Sequence, residues 1–163
     1  MKKYTLIIIA VLGYTITAHS QEKLKNTIGL RLGDSDGFGT AISYQRYITE
    51  NNRLEFDLGW ISKSHHDAIK FAGLYQWVWN IDGGFNWYAG PGAGFAQVHY
   101  DDHHHKDFDD DNETFLFLAG DVGIEYDFDF PLLISLDFRP EIELGSYNDD
   151  VGFNIGLGAR YQF

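Results

Sequence analysis

The chain contains no cysteine, which excludes disulfides and a lipid-modified N-terminal cysteine. Proline is scarce, with three residues in 163, while glycine and aromatics are abundant. That balance suits strands joined by tight turns rather than helices. Basic residues are also few. Twelve lysines and arginines stand against 24 acids, a net charge of −12, which disfavours nucleic-acid binding. No apolar run reaches the roughly 20 residues that a membrane helix needs. Mean hydropathy is slightly negative. This does not count against a membrane β-barrel, in which only every second strand residue is apolar. The length fits one domain.

The one sustained apolar run lies at the start. Lys2 and Lys3 precede a mostly apolar stretch from Thr5 to Thr17, followed by Ala18-His19-Ser20. A basic segment, a short apolar core and small residues at the cleavage positions make a secretory signal. The reading is a signal peptide over 1–20 and a barrel domain over 21–163.

The far end carries the clearest pattern. Val151, Phe153, Ile155, Leu157, Ala159, Tyr161 and Phe163 alternate with Gly152, Asn154, Gly156, Gly158, Arg160 and Gln162. Strand side chains point alternately to opposite faces, so one face is wholly apolar and the other polar or small. A transmembrane β-barrel strand has that form. Seven more segments alternate likewise: 26–33, 38–48, 53–62, 68–81, 85–100, 113–128 and 132–145. Pro91 predicts an irregularity inside the fifth. Apolar Ala96, Val98 and Tyr100 following Phe95 predict a phase change there, as at a bulge.

The expected fold is all-β: an eight-stranded antiparallel up-and-down transmembrane β-barrel. An even count puts both termini on one side, the periplasm, and the long polar stretch 101–112 outside the cell. About 10 residues at about 3.3 Å, tilted by about 40°, cover roughly the 25 Å apolar band. Trp77, Trp79, Phe85, Trp87, Tyr161 and Phe163 predict one aromatic girdle, and Phe38, Trp60 and Phe153 the other. A soluble barrel with an apolar pocket needs the reverse polarity. Its inward set would include Arg31, Asp57, Asp121, Asp137, Arg139, Glu141 and Arg160.

Gly73-Leu74-Tyr75-Gln76-Trp77 and Trp87-Tyr88-Ala89-Gly90-Pro91-Gly92-Ala93-Gly94 resemble the central hairpin of small bacterial outer-membrane β-barrels of the porin-family, OmpA/OmpX-like type. The Arg160-Tyr161-Gln162-Phe163 ending resembles their C-terminal signal. Tyr161 and Phe163 are therefore expected to be read by the barrel assembly machinery. The resemblance covers the chain from residue 21 onward. It implies an outer-membrane location among lipids and lipopolysaccharide, and no shared catalytic site. A monomer is expected.

Three sets of residues could carry chemistry. Three inward arginines face more carboxylates than they can neutralise, which predicts a polar plug or, alternatively, a small porin-like channel. Among these, a turn centred on Phe130 predicts that Asp121 pairs with Arg139. The second set is the acidic stretch holding His103, His104 and His105, with His65 and His66 on the neighbouring outer loop. Imidazoles suit zinc, copper or nickel, and carboxylates suit calcium, so a divalent cation is an expected ligand there. Asp107, Asp109, Asp111 and Glu113 alternate, but the glycine and spacing of a calcium loop are missing. The third set is Ser64, His65, His66 and Asp67, the residue types of a hydrolase. A triad needs convergent geometry rather than adjacency, so a lipid-modifying enzyme is the weaker alternative and no cofactor is implied. The expected role is structural or surface-interacting.

Overall fold

The computed structural model describes residues 26–33, 39–63, 66–100, 112–144 and 151–163. They form strands β1 (Asn26–Gly33), β2 (Thr40–Tyr47), β3 (Asn52–Lys63), β4 (His66–Asp82), β5 (Phe85–Tyr100), β6 (Asn112–Asp127), β7 (Leu132–Leu144) and β8 (Val151–Gln162). Each pairs antiparallel with its neighbour in sequence. β1 also pairs with β8, from Thr27↔Gln162 to Gly33↔Gly156, which closes the barrel. Closure leaves no free sheet edge. The expected signal segment, 1–20, lies outside the described residues.

The two ends of the barrel differ. Three short turns share one end with Asn26 and Phe163, whose backbone N–H donates to the Asn26 carbonyl at 3.0 Å. We call this the turn end. At the first turn the Thr49 hydroxyl accepts from the Asn52 N–H at 3.1 Å. The second is the two-residue turn Gly83-Gly84, where Gly83 has a φ of +53°. An L-residue with a side chain rarely adopts that angle, so the Asp-Gly-Gly sequence selects the turn. The other connections lie at the opposite, loop end. β4, β5 and β6 have 17, 16 and 16 residues, against 8 in β1 and 8 in β2. The wall is therefore taller on one side.

Two sequence expectations need correction. Lys63 pairs with His66, so the polar loop expected over 63–67 shrinks to two residues. No bulge follows Phe95: the β5–β6 register is unbroken from Phe85↔Tyr126 to His99↔Asn112. Ala96 and Val98 are half-buried, on the inward side, while Phe95 and Gln97 are exposed. The apolar Ala96 and Val98 mimic a phase change, but they line the inside of the tall wall. The register shift lies instead between Asn80 and Asp82, next to the Gly83 turn. At Pro91, pairing with β4 skips Tyr75 and Gln76 and resumes in the same register. A proline has no N–H to complete that ladder.

Exposure follows the alternation. Ile28, Leu30, Leu58, Trp60, Ile124, Leu136, Ile155 and Leu157 point outward and are each more than two-fifths exposed. Aromatic side chains concentrate near the turn end, where Trp79 and Trp87 stack at 4.3 Å and Phe85 meets Tyr126 edge-on at 4.6 Å. Phe138 and Phe153 stack at 5.8 Å toward the loop end. The interior is the reverse. It buries Arg31, Arg53, Arg139 and Arg160 with Glu55, Asp57, Asp121, Glu125 and Asp137. The apolar part of the lumen is small, with Ala72, Leu74, Phe117 and Ala119 as its cluster.

Candidate functional site: the barrel lumen

The lumen is built by inward positions that are one residue out of step with the apolar belt. Glu55, on β3, is its hub and is 1% exposed. Its Oε1 accepts from Arg139 Nη2 at 3.1 Å and Arg160 Nη2 at 3.2 Å. Its Oε2 accepts from Gln45 Nε2 at 2.6 Å and Gln76 Nε2 at 3.1 Å. Four donors thus fill the carboxylate, and one side chain ties β3 to β2, β4, β7 and β8. Charged hydrogen bonds in a dry interior are among the strongest available.

The two arginines extend the network. Arg139 Nη1 donates to Asp57 Oδ2 at 2.7 Å, and Arg139 Nε lies 3.4 Å from Asp121 Oδ1. Asp121 also accepts from Gln76 Nε2. Arg160 donates to Ser43 Oγ at 2.9 Å and Ser135 Oγ at 2.7 Å. Arg139 and Arg160 together therefore face three carboxylates: Glu55, Asp57 and Asp121.

Further ion pairs flank this group. Arg31 donates through Nε to Asp137 Oδ1 at 3.0 Å and through Nη2 to Asn154 Oδ1 at 2.8 Å. Against its guanidinium β8 carries Gly156, where an added Cβ would overlap that group. Arg53 lies nearer the turn end, with Nη1 2.6 Å from Glu125 Oε2. That contact is ionic: neither Glu125 oxygen meets hydrogen-bond geometry. Arg53 also donates to Gln76 Oε1 at 2.6 Å and packs over the Tyr88 ring at 4.6 Å. Toward the loop end, Lys70 Nζ contacts Glu141 Oε2 at 2.6 Å.

Above the hub, toward the loop end, sits a half-open cavity of about 30 Å³. Arg31, Asp57, Lys70, Arg139 and Glu141 line it, with Ala41, Gly59 and Ala72 between them. A water needs roughly 10–15 Å³ measured this way, so the space takes about two. The fully engaged carboxylate of Glu55 lies below it. This arrangement can hold water or a small ion, and it closes the middle of the lumen to anything larger.

The structure brings Asp121 and Arg139 into proximity on facing strands, with Asp121 the most distant of the Arg139 acids. Tyr161 and Phe163 stand exposed at the turn end, their rings stacked at 6.4 Å. His103, His104, His105, His65 and Ser64 lie outside the described residues. His66 and Asp67 belong to β4, and only their backbone is described. His66 pairs with Tyr100, so these two strand ends are neighbours. Among the residues whose side chains are described, no three histidines, cysteines or acids are grouped to hold a metal.

Arg53 and the central role of Glu55 escaped the sequence reading. Arg53 is inward and fully buried, a fourth arginine where three were counted. It is the second residue of β3, and two-residue parity from Glu55 would have found it. Glu55 carried no signal beyond parity, because its partners sit across the barrel.

No protein-family profile matches the chain, and no curated protein matches it by sequence. Solved structures match its fold. The N-terminal β-barrel domain of Pseudomonas aeruginosa OprF superposes with a TM-score of 0.67 at 13% identity, covering 88% of this chain and 100% of that one. Ail, the attachment invasion locus protein of Yersinia pestis, superposes at 0.56 with 18% identity, covering 85% and 97%. Ail in a phospholipid bilayer nanodisc gives 0.53 at 17% identity, covering 86% and 100%. The chain thus shares the closed eight-stranded architecture of small outer-membrane barrels.

Proposed function

We propose that this chain is an outer-membrane β-barrel with a structural or surface-interaction role and no catalytic activity. The observation that carries it is the inverted polarity: an apolar exposed belt around a lumen of buried charge. Water would leave that belt unfavourably solvated, whereas lipid matches it. Turn end and termini face the periplasm, and the loop end faces lipopolysaccharide. The N-terminal 20 residues act as a cleaved signal, and the barrel works as a monomer. The resemblance of the Tyr161 and Phe163 ending supports recognition by the barrel assembly machinery. The test is folding. The chain without residues 1–20 should fold only in detergent or lipid and then resist heat on a gel without boiling. A stable monomer in detergent-free buffer overturns the proposal.

The small-channel reading rests on one observation. Arg53 Nη2, Asp57 Oδ1 and both Glu125 oxygens are buried without hydrogen-bond partners. Buried polar atoms call for water. Planar-bilayer recording separates the readings: a plug gives no steps at ordinary voltages, a channel gives unitary ones. Lipid A mass analysis in a deletion strain checks the enzymatic alternative.

A further inference from the structure

We propose that Arg46 and Asn26, on the outer face of β2 and β1, bind the phosphate of an anionic glycerophospholipid in the leaflet at the turn end. The inference rests on the outer-membrane reading above and adds to it a lipid class and a place on the wall.

Three observations meet there. The first is facing. Among the residues whose side chains are described, Arg31, Arg53, Lys70, Arg139 and Arg160 point into the lumen. Arg46 instead shares the outward face of β2 with Ile42 and Tyr44, and it is exposed. The second is engagement. Each inward arginine meets a carboxylate. Arg46 has no hydrogen bond or ion pair to any described residue. That is the exception in a chain with 24 acids and 12 basic residues. A lone arginine facing lipid is costly at the middle of a bilayer and tolerated near its surface. Arg46 is next to last in β2, at the turn end, where the aromatic side chains gather.

The third observation is the neighbour. Asn26 is the direct partner of Arg46 across the β1–β2 ladder, on the same face. The Tyr44 hydroxyl donates to Asn26 Oδ1 at 2.9 Å. That bond occupies the amide oxygen and leaves Nδ2 to donate. Directly opposed side chains stand about 5 Å apart at Cβ, so the guanidinium and the amide share one patch. A patch of donors selects an anion, and the guanidinium fork matches two oxygens of a phosphate. Toward the middle of the belt Ile28 and Ile42 are exposed, where the acyl chains of the same lipid run. Lipopolysaccharide, at the loop end, does not reach this depth.

The test uses the barrel folded in nonionic detergent. Phosphatidylglycerol is titrated in, and native mass spectrometry reads the lipid-bound fraction. Arg46→Gln should weaken phosphatidylglycerol about tenfold, by loss of one charge-assisted pair. Arg46→Lys keeps the charge without the fork and should fall between. Tyr44→Phe frees the Asn26 amide to turn and should weaken binding about threefold. Diacylglycerol with the same chains should bind alike to all forms. Inorganic phosphate at millimolar concentration should not displace the lipid, which separates a lipid site from a site for any anion. Phenylglyoxal supplies a measurement on the unaltered barrel if a variant fails to fold. It modifies accessible guanidiniums, so Arg46 should be labelled in detergent alone and protected by phosphatidylglycerol. Equal affinity in Arg46→Gln, displacement by inorganic phosphate, or unprotected labelling overturns the inference. Heat-modifiability of the same samples keeps the two readings apart. A barrel that folds in detergent without these responses loses only the lipid site, whereas a chain soluble without detergent loses the membrane location as well.

Discussion

β7 shows two kinds of specificity on one strand. Outward, Ile134, Leu136 and Phe138 are exposed, and the belt asks only that they be apolar. Inward, Ser135, Asp137 and Arg139 each meet a named partner: Arg160, Arg31 and the Asp57–Glu55 pair. The outer face is a solvent match, which many side chains satisfy. The inner face is a set of directional contacts, in which one wrong atom strands another. The two faces should therefore fail differently.

The largest effect should come from breaking the inner face at its hub. For Glu55→Ala two arguments oppose each other. Charge balance favours the variant, because it leaves two guanidiniums with two carboxylates. Hydrogen bonding opposes it, because four buried donors lose their acceptor. Each stranded donor costs about 1–3 kcal/mol, which outweighs one charge partly relieved by water. A loss of about 3–5 kcal/mol in urea unfolding is expected. A neutral result would mean that the network rearranges around the gap.

Breaking the outer face should cost somewhat less. Leu136→Arg puts a charge near the middle of the belt, where lipid-facing arginine costs about 2–4 kcal/mol. The loss should shrink toward the strand ends, so Leu144→Arg is the control. If both variants lose the same amount, depth in lipid does not govern the outer face.

A double-mutant cycle sharpens the inner face. Asp121→Asn and Arg139→Gln should each destabilise, and the double variant should lose less than their sum. The separation of 3.4 Å and the stronger Arg139 contacts at 2.7 and 3.1 Å put the coupling near about 0.5 kcal/mol. Strict additivity would sink the pairing.

The same contrast explains what the sequence could disclose. A period of two is a one-strand property, so strand number, turn positions and the outward set were legible from alternation alone. Asp121 and Arg139 lie on adjacent strands joined by one short turn, so their proximity of 3.4 Å is a local matter of register. The Glu55 hub was not legible. Its donors come from β2, β4, β7 and β8, and only closure of the barrel brings them together. The false bulge after Phe95 had the opposite origin. Ala96 and Val98 are apolar but inward, and polarity was the only guide to facing.

The smallest effect on the folded barrel should come from the chain end, which belongs to neither face's argument. Phe163 adds a half-exposed ring stacked on Tyr161 and one hydrogen bond, from its N–H to the Asn26 carbonyl. A single exposed hydrogen bond and partial ring contact amount to about 1 kcal/mol or less. Deleting Phe163 should therefore barely shift urea unfolding of the refolded barrel. In cells the expectation differs. If the ending is an assembly signal, its loss acts before the barrel exists, and contacts in the finished structure offer no compensation. Outer-membrane levels of the deleted chain should drop well beyond what its stability predicts, with unfolded chain accumulating in the periplasm. Fractionation and heat-modifiability of the two forms, beside their urea curves, make the comparison. Equal membrane levels would show that Phe163 is only a lipid-facing ring at the turn end.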